Sequence, residues 1–150
     1  MAQTEKQKLY FEMHNWIDNY NFKIFGTLTL RNEATNESMR KATKHFFNCV
    51  NRKVFGNAHT RRKRHKLKTA TTLQQMANGN WHTHFVLELA DYYEEEKFIN
   101  LLKNIWQTKV KGAGKCEIEA IKHKKKAIGY ILHDINKLGT DTLALESTRL

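Results

Sequence analysis

Proline is missing from all 150 residues, so no helix or strand is interrupted by a locked φ angle or a lost N–H donor. Cysteine is nearly missing: Cys49 and Cys116 stand alone, which argues against a disulfide framework or a four-thiolate zinc site and leaves two reduced, packed thiols. No apolar run approaches the roughly 20 residues of a membrane-spanning helix, and the N-terminus lacks a signal-peptide pattern. The expectation is a soluble, intracellular protein with no membrane partner. Gly112-Ala113-Gly114-Lys115 falls short of a phosphate-binding loop, because position 109 is lysine and neither Ser nor Thr follows Lys115. A nucleotide hydrolase is therefore unsupported. No Ser/Gly-rich linker or repeat divides the chain, and its length suits one domain.

Acidic residues are also few. Fifteen Asp and Glu face 26 Lys and Arg, a net charge of +11 that favours a polyanionic partner, with nucleic acid ahead of a membrane surface. Arg61-Arg62-Lys63-Arg64-His65-Lys66 has no apolar periodicity and reads as a loop; with Lys122 to Lys126 it is a natural place for phosphate contacts, although solvated loops share that composition.

What is present is periodic. Leu9, Met13, Trp16, Ile17 and Tyr20 recur at helical spacing, so 1–22 holds an amphipathic helix. Residues 23–31 alternate as a strand, and Met39, Ala42, Phe46, Val50 and Val54 mark a helix ending near Gly56. Residues 68–77 and 81–89 are strand-like runs joined through Asn78-Gly79, a hairpin dipeptide. Phe98, Leu101, Leu102, Ile105 and Trp106 stripe another helix, Gly112 to Gly114 breaks it, and Cys116 to Lys122 alternates as a strand. A last helix spans about residues 125–138, within the usual boundary error of a few residues, before a polar tail at 139–150. The order predicts an α+β protein with an antiparallel sheet of the ferredoxin-like, split βαβ plan and an added C-terminal helix carrying Tyr130.

The sharpest local signal is His82-Thr83-His84. A strand period of two sends both imidazoles to one face, while Trp81, Phe85, Leu87 and Leu89 turn to the core and Val86 and Glu88 share the histidine surface. Such a pair can grip one metal ion, with a glutamine of the partner strand as a third, amide-oxygen ligand. A two-residue turn sets Gln75 opposite His82, and a three-residue turn with glycine in a bulge sets Gln74 there. In the last helix, Tyr130, His133, Asp134 and Lys137 form a polar stripe beside apolar Ile128, Ile131, Ile135 and Leu138. An arbitrary tyrosine in that position is an amphipathic residue at a core margin.

In order along the chain, Phe25-Gly-Thr-Leu-Thr29, Trp81-His82-Thr83-His84 and Gly129-Tyr130-Ile-Leu-His133-Asp134 resemble the three motifs of the HUH endonucleases, specifically single-tyrosine replication initiators (Rep) of rolling-circle replication. The resemblance spans residues 23–137 and treats 1–150 as one such domain. It implies Tyr130 as the nucleophile; His82, His84 and Gln74 as ligands of a divalent ion, Mn2+ or Mg2+; and a 5′-phosphotyrosine intermediate in nicking and rejoining single-stranded DNA. Two positions depart from the pattern. Gln74 stands where the family has glutamate, and His133 replaces the motif lysine, leaving His133 or Lys137 to assume its part. Arg61, Arg62, Lys63, Arg64, His133 and Lys137 are the candidate DNA contacts, and an origin hairpin is the candidate target. The implied setting is microbial cytoplasm, or the nucleus for a eukaryotic virus. A relaxase or tyrosine transposase would share this chemistry, whereas a noncatalytic basic nucleic-acid-binding domain would share only the charge.

Overall fold

A computed structural model describes residues 4–56 and 66–132, with helices α1 (Glu5–Asp18), α2 (Asn36–Phe55), α3 (Glu95–Lys109) and α4 (Lys124–Ile131) and strands β1 (Ile24–Leu30), β2 (Thr69–Gln75), β3 (Trp81–Leu87) and β4 (Ala113–Ala120). The protein is α+β. Its four strands form one sheet in the order β2-β3-β1-β4, with every neighbouring pair antiparallel. β3, which carries the histidines, therefore lies inside the sheet with its backbone bonded on both sides. No described helix is long and apolar enough to cross a membrane.

Local chemistry starts two of the helices. Thr4 and Gln7 form a capping box at α1, as do Thr35 and Ser38 at α2, so each pair satisfies N–H groups left over in a first turn. The predicted stripes then bury: Met39, Phe46 and Val50 of α2 and Phe98, Leu102, Ile105 and Trp106 of α3 meet Ile24, Leu28, Phe85 and Leu87 on one sheet face. Gly26 lies under this core because a Cβ there would stand 2.3 Å from the Phe85 ring. Thr83 points to the same side and shares a 2.8 Å hydroxyl contact with Thr43 of α2, which pairs an otherwise stranded polar group.

The opposite face departs from expectation. Val86 is fully buried, because α1 and α4 cover that end of the sheet: Ile17, Phe22, Ala127, Ile128, Ile131 and Leu132 pack over Ala70 and Val86. Alternation within one strand cannot reveal a cover built from distant helices. Trp16 takes the outer side of α1 and is 41% exposed, while Leu9, Met13 and Tyr20 face inward. β4 also begins earlier than its alternation suggests, at Ala113, so the chain turns through Lys111 and Gly112, the latter at φ 79°.

Candidate metal and nucleotide site

The uncovered part of this second face is a pocket of about 470 Å³ lined by Thr27, Thr29, Gln74, Met76, His82, His84, Lys115 and Glu117. Its floor is set by register. Thr72 of β2, His84 of β3, Thr27 of β1 and Glu117 of β4 stand directly opposite one another in a row across all four strands. In antiparallel pairing such residues project to one side, so the topology gathers chemistry from four separate stretches of sequence.

The hairpin turn decides which glutamine joins the pair. Met76 N–H donates to the Asn80 carbonyl at 2.7 Å and Gly79 N–H to the Met76 carbonyl at 2.9 Å, leaving a three-residue loop with Gly79 at φ 89°. This is the glycine-bulge form of the turn. It sets Gln74 opposite His82 and moves Gln75 opposite Trp81. Gln74 is 8% exposed, so its amide is committed to the sheet face and not to solvent.

The imidazoles converge. His82 Nε2 and His84 Nε2 lie 2.9 Å apart, with ring planes inclined at 82°. That separation is the length of a hydrogen bond between the two ring nitrogens. His82, His84 and Gln74 line this pocket together and are the candidate ligands of a divalent ion. Among the described residues no group of three or more His, Cys, Asp or Glu could hold a metal.

Behind the pair, Thr27 Oγ1 lies 2.8 Å from His84 Nδ1 and Phe25 stacks on the His84 ring at 5.8 Å between centroids. Glu88 Oε1 accepts the Lys68 N–H at 2.7 Å, and Glu88 lines a pocket other than the one that holds the histidines. His45 joins α2 to α3 through the Lys109 carbonyl, 3.0 Å from its Nε2. Burial pushes the Cys116 thiol up from its ordinary value, against a lowering hydrogen bond with Gln107 and the charge of Lys103.

Tyr130 belongs to α4, which packs against β2 and β3, the strands that carry Gln74 and the histidines. The Thr72 hydroxyl donates to the Ile131 carbonyl and fastens this helix beside the histidine row. Lys124 anchors its other end through the Asp18 carbonyl. Lys122, Lys125 and Lys126 are exposed. Arg61, Arg62, Lys63, Arg64, His133 and Lys137 lie outside the described residues. Sequence reasoning placed Thr27 only within the Phe25–Thr29 motif and gave no role to Thr72, Lys115 or Glu117, which strand register brings to this face. No protein-family model, curated protein or solved structure matches the chain.

Proposed function

We propose that the chain is an HUH-type, metal-dependent endonuclease and strand transferase that nicks and rejoins single-stranded DNA, as a single-tyrosine initiator of rolling-circle replication. The observation that carries this reading is the convergence of His82 Nε2 and His84 Nε2 at 2.9 Å in an open pocket beside the helix that contains Tyr130. The strand order β2-β3-β1-β4, with helices after β1 and β3, supports a ferredoxin-like split βαβ assignment.

In the proposed reaction His82, His84 and Gln74 hold a divalent ion, which when bound acts as a Lewis acid on the scissile phosphate. The Tyr130 oxygen attacks phosphorus, the bond to the 3′ oxygen breaks, and a 5′-phosphotyrosine forms; the phenolic proton passes to water and the departing 3′ oxygen takes one up. One phosphodiester replaces another. A returning 3′ hydroxyl therefore reverses the step and rejoins DNA without a nucleotide cofactor. The excess of positive charge draws DNA toward the domain and holds its backbone. His133, one turn beyond Tyr130 in sequence, is the proposed proton partner or phosphate contact.

The test is incubation of the full chain with a labelled pool of single-stranded oligonucleotides and Mn2+. A covalent adduct that disappears with Tyr130→Phe, while DNA affinity persists, is the expected result. Binding with no adduct across the pool would instead identify a noncatalytic nucleic-acid-binding domain.

A further inference from the structure

A ring nitrogen binds a cation through its lone pair, so a neutral His84 that ligates through Nε2 must carry its proton on Nδ1. Which nitrogen holds the proton is governed by the partner behind the ring. Here that partner is Thr27, whose Oγ1 lies 2.8 Å from Nδ1. Two bare Nε2 lone pairs at 2.9 Å would repel, so in the metal-free pair a proton on one Nε2 makes the contact a hydrogen bond. A hydroxyl suits both states of His84: it donates to a bare Nδ1 and, after rotating, accepts from a protonated one.

Thr27 is also held in place. It stands opposite His84 in the β1–β3 register, and Phe25, on the same face of β1, stacks on the imidazole with planes 19° apart. One strand therefore fixes the ring's plane through Phe25 and its proton through Thr27. We infer that Thr27 is a positioning residue for cation binding: its hydroxyl accepts the Nδ1 proton of His84 and keeps the Nε2 lone pair turned toward the ion beside His82. This rests on the divalent-metal reading above and gives the Phe25–Thr29 segment a task apart from DNA contact.

The experiment is Mn2+ titration of the full chain, with free ion followed by electron paramagnetic resonance, for wild type, Thr27→Val, Thr27→Ser and His82→Ala. Valine keeps the shape and β preference but removes the hydroxyl, so affinity should fall about 10- to 100-fold, while serine retains most of it. Imidazole nitrogen NMR of the Mg2+-loaded wild type should place the His84 proton on Nδ1. Equal Mn2+ affinity of Thr27→Val and wild type would overturn the inference, as would an Nε2-protonated His84 in the loaded wild type, a result that stands even if the valine variant fails to fold. Failure of wild type and His82→Ala alike to bind Mn2+ would overturn the metal reading itself, and this inference with it.

Discussion

Thr72 donates its hydroxyl hydrogen to the carbonyl of Ile131 while standing directly opposite His84 across the β2–β3 ladder. One residue thus links the row that holds an imidazole to the turn of α4 that follows Tyr130. Burial of Ile128, Ile131 and Leu132 supplies the adhesion, roughly 1.5–3 kcal/mol for each side chain. The hydrogen bond, worth about 1 kcal/mol net, selects the helix position along the sheet.

Thr72→Val should therefore separate docking from catalysis. The variant leaves a buried carbonyl unpaired at a cost of about 1–3 kcal/mol, with Mn2+ affinity unchanged and adduct formation slowed. Parallel urea denaturation, metal titration and adduct kinetics check this; unchanged kinetics would mean that the anchor does not serve the tyrosine helix.

Gln74 offers a gain-of-function test. Replacing its amide by a carboxylate in Gln74→Glu should tighten Mn2+ binding, because an anionic oxygen is the stronger ligand for a hard cation, whereas Gln74→Ala should weaken it. Calorimetric titration of both variants decides, and a matched response to Glu and Ala would remove position 74 from the site.

Gly26 tests the other sheet face. Gly26→Ala drives a Cβ to within 2.3 Å of the Phe85 ring, so the core must shift. A loss of about 1–3 kcal/mol is expected from such overpacking, read as a lower urea midpoint. A variant as stable as wild type would show that Phe85 relocates freely.

Salt dependence probes the basic segment. If Arg61, Arg62 and Arg64 each neutralise a phosphate, the triple alanine variant should lower the slope of log affinity against log salt by about 2, at ~0.7 for each single-strand contact. Fluorescence anisotropy across a salt series measures it, and an unchanged slope would place the phosphate contacts elsewhere.

Much of this architecture is legible in the chain because its signals are local. Period-two alternation through Trp81–Leu87 correctly sends Phe85 and Leu87 to the core and His82 and His84 to the other face. The stripes of α2 and α3 are equally plain. Longer-range facts are not. Two loop lengths suit Asn78-Gly79, and only the completed ladder sets Gln74 opposite His82. Val86 has the parity of a surface residue, but its cover comes from α1 and α4, far away in sequence. Thr72 belongs to no motif and Thr27 only to the Phe25–Thr29 segment as a whole; their contact with the histidine row arises when three strands bring them to either side of His84.

The central claim is that one particular phenol takes the DNA. Mass spectrometry of the protease-digested adduct from single-stranded DNA and Mn2+ tests it most directly: the account predicts a nucleotide-linked peptide with the modification on Tyr130. A linkage on another residue, such as Tyr92 or Tyr93, would contradict it.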